Sequence, residues 1–153
     1  MSHQFENLSQ PINIPVSQTH YRLVTDYCYF WQYANTQFRI TVPTGFKYNG
    51  ASVPRICWSI TGLRPDGLIR AAATLHDFLY RYKGRLPANT LHREVKLPAL
   101  KTAPEWVELN QPWTRKNADK LFARVMREAG VPKIQRRMAY FAVRLVGRFY
   151  WNK

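Results

Sequence analysis

His76 and Asp77 are neighbours in an alanine- and leucine-rich stretch, with Tyr80 four residues after His76, and Asp119 lies in a second apolar stretch downstream. Ionisable groups in apolar helices either pair with one another or do chemistry. Histidine is the usual general base near neutral pH, and it works best when a carboxylate fixes its tautomer and orientation. Asp77 cannot readily serve its own neighbour, because adjacent residues on a helix point about 100° apart. It is left to hold a cation or to pair with an arginine. Asp119 is the better orienting partner if the two helices pack antiparallel, and Tyr80 is placed to hydrogen-bond the same carboxylate. A purely structural network uses the same residues: His76 bonded to Asp119 in the core, and Asp77 paired with Arg70 or Arg81. Residue types alone weight the two readings about equally.

The elements that must position these residues are legible in outline. Residues 1–19 read as an extended, polar arm with Pro11 and Pro15, and residues 20–153 as one domain. Tyr21–Val24, Tyr27–Tyr33 and Phe38–Val42 are aromatic and β-branched and predict strands, with Ala34-Asn35-Thr36 as the turn between the last two. A first helix is expected from about Pro65 or Asp66 to about Tyr82, capped by Asp66 and ended by Gly84. Ala72 and Ala73, one turn before His76, allow a second helix to approach closely. That helix starts at a Thr114 cap, carries an apolar stripe of Ala118, Leu121, Phe122, Val125, Met126 and Ala129, and stops at Gly130 and Pro132. A third runs from about Lys133 to Phe149, with Ile134, Met138, Phe141, Ala142, Leu145 and Phe149 on one side. Between the first two helices, residues 84–113 hold four prolines and no sustained period, and read as a partly ordered insertion with room for one hairpin. Trp106 and Trp113 within it either form a partner surface or fold back on the helices. The fold class expected is α+β: a small antiparallel sheet, two helices packed through the His-Asp motif, and a third closing the core.

Bulk properties narrow the function classes. The chain has 153 residues, 46% hydrophobic and 14% aromatic, enough to bury a core without staples. Cys28 and Cys57 form no paired motif, the start of the chain resembles no signal peptide, and no run nears the roughly 18 apolar residues of a membrane span. A cytoplasmic protein is therefore expected. The net charge is +14, and it lies wholly in residues 47–153, since Arg22 and Arg39 are balanced by Glu6 and Asp26 before them. Anionic partners follow: a phospholipid surface, nucleic acid or an acidic protein. Lys133, Arg137, Arg144 and Arg148 make a basic ridge along the third helix, suited to an anionic surface, although such ridges are more often plain solvated faces. Too few His and Cys are present for a zinc site, and no glycine-rich phosphate loop occurs.

Four segments carry a resemblance to a known family. They are Thr41–Arg55, Ala72–Arg81, Ala118–Phe122 and Met138–Gly147, in that order. Together they resemble the phage and bacterial family named domain of unknown function 1353, which implies a phage or prophage gene and a cytoplasmic or virion-associated product, but no activity. The chain departs from that pattern with Asn49 where Asp is usual and with a longer 84–113 connection. The His-Asp-x-x-Tyr and Asp-x-x-Phe helices are also similar to the two-helix core of calcium-dependent secreted phospholipases. That resemblance implies His76 activating water, Asp119 orienting His76 with Tyr80 bonded to the same carboxylate, and Asp77 holding a calcium ion (Ca2+), with the backbone carbonyls of Asn49, Gly50 and Ala51 completing its oxygen shell. The cysteines that flank the motif in those enzymes are replaced here by Ala73, Thr74 and Leu79.

The leading expectation is a hydrolase acting on lipid or cell-envelope esters at an anionic surface. The competing class is a non-catalytic virion, accessory or host-directed inhibitor protein that binds nucleic acid or an acidic protein through the basic half.

Overall fold

The computed structural model describes residues 8–49, 59, 67–96 and 103–152. In chain order these form β1 (Asn13–Pro15), β2 (Tyr21–Leu23), β3 (Tyr27–Tyr33), β4 (Thr36–Val42), β5 (Lys47–Tyr48), α1 (Arg70–Arg81), β6 (Leu91–Val95), β7 (Glu105–Glu108), α2 (Arg115–Glu128) and α3 (Lys133–Trp151). This is the expected α+β class, with two antiparallel sheets ordered β1-β2-β5 and β3-β4-β6-β7.

Helix α1 is the axis around which the rest is built. Every residue from Ala71 to Tyr80 is buried, as happens to a helix enclosed on all sides. It packs on α2 and α3 and on strands β4 and β5. Phe78 and Leu79 are fully buried, each stabilising the fold by about 1.5–3 kcal/mol relative to exposure. Such enclosure explains how His76 and Asp77 can both be buried while pointing in different directions. The helix is shorter at its start than expected. It begins at Arg70 after a turn at Gly67–Ile69, with no side-chain cap, and the anticipated Asp66 cap lies outside the described residues. Its end is as expected: Gly84 adopts φ +74° and its N–H donates to the Leu79 carbonyl.

The first two strands of the larger sheet form a hairpin paired from Tyr27↔Val42 to Tyr33↔Thr36. Ala34 and Asn35 both take positive φ (45° and 64°), the geometry that matches a two-residue turn to the sheet twist. On β4 the alternation places Ile40 and Val42 in the core. Tyr27 and Tyr29 of β3 are buried as well, and the Tyr29 hydroxyl donates to Glu128 Oε2 at 2.8 Å, fastening the sheet to the end of α2. The extended N-terminal arm is stitched to this body. Residues 13–15 pair with β2, and the Gln10 side chain accepts from the Ala71 N–H at the start of α1.

The insertion contributes more order than its composition suggests. β6 pairs with β4 through Phe38↔Arg93 to Ile40↔Leu91, and β7 pairs with β6, so the segment extends the main sheet by two strands. Trp113 stacks edge-on against Trp31, and Trp106 packs on Phe30 and under the Arg39 guanidinium, so both indoles fold back on the protein. The two ends of the insertion meet, with the Trp113 N–H donating to the Gly84 carbonyl at 2.9 Å. A Cβ at Gly84 would overlap the Trp113 backbone, which is why a residue without a side chain stands there.

The third helix closes the core with its small residues rather than with its large ones. Ala139, Val143 and Gly147 are its buried positions, while Ile134, Met138, Phe141, Leu145 and Phe149 are exposed. At Gly147 the reason is spacing: the Tyr80 hydroxyl already fills the volume beneath α3 there and leaves no room for a side chain.

Candidate functional site

Three helices bring one carboxylate and its donors together. α1 supplies His76 and Tyr80 on the same face, one turn apart. α2 supplies Asp119, one turn after the Thr114 cap, whose side chain accepts the Asn117 N–H. Along α1, His76 meets Phe122 and Asp119, Tyr80 meets Asp119, and Gly84 beyond the helix meets Trp113, so α1 and α2 run antiparallel.

His76 Nε2 lies 2.8 Å from Asp119 Oδ1, and the Tyr80 hydroxyl donates to the same oxygen at 2.6 Å. The second oxygen, Oδ2, accepts from Arg144 Nη1 of α3 at 2.7 Å and has Arg115 Nη1 at 3.6 Å. Arg115 also donates to the Arg144 carbonyl, tying α2 to α3 directly. His76 and Asp119 are 1% and 0% exposed. Burial pushes the Asp119 pKa up, but the hydrogen bonds from His76, Tyr80 and Arg144 outweigh it and hold the carboxyl below its ordinary value. Tyr80 moves the other way, because burial and the neighbouring carboxylate both oppose a phenolate.

An ionised carboxylate can only accept hydrogen bonds. The contact therefore fixes the proton of a neutral imidazole on Nε2, and any base chemistry by His76 runs through Nδ1. The His76 ring is held from the sides by Tyr80 and Phe122, with centroids at 4.2 and 4.8 Å.

Asp77 is directed elsewhere, as the helical geometry requires. Its Oδ2 accepts the Asn49 N–H at 3.1 Å, so the carboxylate sits against the backbone of the loop after β5. Asn49 reaches His20 through its side chain at 3.3 Å, and Gly50 and Ala51, the other loop residues assigned to a cation shell, lie outside the described residues. Among the described residues no group of three or more His, Cys, Asp or Glu is gathered as a metal cluster. The arginines considered for Asp77 are seen to bond carbonyls, Arg81 that of Lys47 and Arg70 that of Pro11.

The proposed basic ridge divides. Lys133, Arg137 and Arg148 stand exposed, whereas Arg144 turns onto Asp119 because that buried carboxylate needs a cation. Arg115 and Gly147 are the members of the site that sequence reasoning missed, and Arg144 was singled out only for the surface ridge. Gly147 packs directly against the Tyr80 hydroxyl, where a Cβ would overlap it. The available signal was Asp119 itself, an acid in a chain of +14 whose neighbours in space had to include a base.

A separate cleft of about 430 Å³ opens where Trp31, Phe38 and Trp113 meet Lys120 and Arg124 of α2. It is lined by aromatic faces and two cations, and none of its lining residues belongs to the His76–Asp119 pair.

Comparison with known proteins gives kinship without an activity. An uncharacterized protein, y4jT of Sinorhizobium fredii, is 40% identical over 52 residues, which is 34% of this chain and 15% of that protein. The chain thus spans a small part of that relative's length. No solved structure matches. A family described as protein of unknown function (DUF1353) matches residues 21–143, a span that contains β2 to β7, α1, α2, the His76–Asp119 contact and most of the buried face of α3. The chain belongs to the DUF1353 family.

Proposed function

We propose that this protein is a phage-encoded hydrolase that cleaves ester bonds of lipid or cell envelope at an anionic surface, with His76 as its general base. The observation that carries the reading is the double contact on Asp119 Oδ1, from His76 Nε2 and the Tyr80 hydroxyl. It sets the imidazole tautomer and directs the basic nitrogen away from the carboxylate. In the reaction Nδ1 takes a proton from water, the water oxygen bonds the ester carbonyl carbon, and the tetrahedral adduct collapses with loss of the alkoxide. The imidazolium returns its proton to that leaving oxygen, so His76 ends as it began. Asp119 steadies the transient imidazolium, while Tyr80, Arg115 and Arg144 hold Asp119 in place. Asp77 Oδ2 accepts the Asn49 N–H, which brings the carboxylate to the loop after β5, whose carbonyls would join it as oxygen ligands of a calcium ion. A cation bound by Asp77, Asn49 and Gly50 would supply polarisation of the ester carbonyl.

The test is hydrolysis of anionic phospholipid and of a simple chromogenic ester by the purified full chain, with and without calcium. His76→Ala should lower turnover by about 10²–10⁴-fold while the far-ultraviolet spectrum stays unchanged. Equal activity in a folded His76→Ala protein, or no turnover by the wild type on either ester, overturns the reading.

The completeness of the network favours a second reading. Both Asp119 oxygens are occupied and the pair is enclosed, as in a structural pin joining three helices. The protein would then be a non-catalytic virion, accessory or host-directed inhibitor component, binding nucleic acid or an acidic protein through its basic half. On that reading the phenotype survives His76→Ala and disappears on charge reversal at Arg137 and Arg148.

A further inference from the structure

The outward face of α3 is both apolar and basic. Ile134, Met138, Phe141, Leu145 and Phe149 follow one another at helical spacing and are between 39 and 74% exposed. Scattered exposed apolar residues need no explanation, but a continuous stripe of five large ones marks an interaction surface. At 100° per residue, Lys133, Arg137 and Arg148 stand along one edge of that stripe, all exposed. The helix contains no acidic residue.

We propose that α3 docks on an anionic phospholipid bilayer, lying in the plane of the headgroups with the stripe among the acyl chains and Lys133, Arg137 and Arg148 at the phosphates. The charge pattern selects this occupant. A second copy of the chain would bring the same cations to the seam and no acid on its own α3 to meet them. Nucleic acid would satisfy the ridge and leave five apolar side chains in water. An anionic bilayer supplies phosphate and hydrocarbon in the order the helix presents them. The helix is amphipathic and no helix among the described residues is long and apolar enough to cross a membrane, so the contact is interfacial. As the workplace of the proposed hydrolase this surface rests on that reading; as a binding surface it stands on α3 alone.

The experiment is co-sedimentation of the full chain with vesicles of phosphatidylglycerol and phosphatidylcholine, against vesicles of phosphatidylcholine only. Wild type should bind the anionic vesicles at least about ten-fold more tightly. Phe141→Glu with Leu145→Glu should lower that binding about ten-fold or more, and so should Arg137→Glu with Arg148→Glu. All four positions are exposed, so the variants should keep the wild-type circular dichroism. His76→Ala should bind like wild type, and vesicle binding without hydrolysis would sink the enzyme reading and leave this one standing. Failure of wild type to bind anionic vesicles overturns the proposal. So does binding that ignores the Phe141 and Leu145 changes, or a lipid-free dimer that those changes dissociate.

Discussion

Gly147 of α3 lies against the hydroxyl of Tyr80 so closely that a methyl group at that position would share its space. The hydroxyl cannot retreat without cost, because it donates to Asp119 at 2.6 Å and its ring packs edge-on against Trp151 at 5.0 Å. Gly147→Ala should therefore destabilise the fold by about 1–3 kcal/mol, the usual penalty for overpacking. In a Tyr80→Phe background the same change should cost measurably less. Denaturant titration of the four proteins in this cycle gives the coupling directly.

Asp119 makes stability depend on acid. Its carboxyl is held below the 3.8 of an ordinary aspartate, so the folded chain binds that proton less readily than the unfolded one. The stabilisation is then fully present above about pH 4 and is lost as pH falls through the lower folded value. Asp119→Asn should flatten this acid limb of the stability profile. Asp119→Ala leaves Arg144 without its carboxylate in a part-buried setting, and about 3–5 kcal/mol should be lost at neutral pH. Thermal unfolding between pH 3 and 7 distinguishes the two effects.

The cation reading of Asp77 has a readout independent of catalysis. Calcium in the millimolar range should raise the melting temperature of the wild-type chain by mass action on the folded state. Asp77→Asn should abolish that rise, and an unchanged melting temperature in the wild type would remove calcium from the mechanism.

Thr114 offers a local control. Its side chain accepts the Asn117 N–H at the start of α2, so Thr114→Ala should cost about 1 kcal/mol. Because the cap lies in the turn before Asp119, the change should leave the sign of the acid dependence intact.

The sequence disclosed this site unevenly, for reasons that differ by residue. His76, Tyr80 and Asp119 were readable because helical spacing fixes which side chains share a face, and burying a carboxylate demands donors. Asp77 was separable from His76 by the same geometry. Arg144 was not, since a cation on a helix flank looks the same whether it meets water or a carboxylate from another helix. The stripe on α3 misled in the opposite direction. Amphipathic periodicity locates the most apolar side, and a core is expected there, yet this helix reaches the core through Ala139, Val143 and Gly147. Strands β6 and β7 were anticipated only as room for one hairpin, without their positions, because Leu91-His92-Arg93-Glu94-Val95 and Glu105-Trp106-Val107-Glu108 carry too many charges for strand periodicity to show. β6 is held by the edge of β4, a long-range partner that no local window contains, and β7 pairs in turn with β6.

The meeting of Gly84 and Trp113 bears on how this architecture can vary. The chain leaves the end of α1 and returns to the start of α2 through one point, joined by a backbone hydrogen bond. Everything between is an excursion whose length does not enter the placement of His76 relative to Asp119. A shorter connection can close the same gap and keep the helix pair in register. What it would surrender is the cover on Phe38–Ile40, turning an interior strand into a sheet margin open to another chain. Change in this segment would thus alter what the protein can associate with before it alters the arrangement around Asp119.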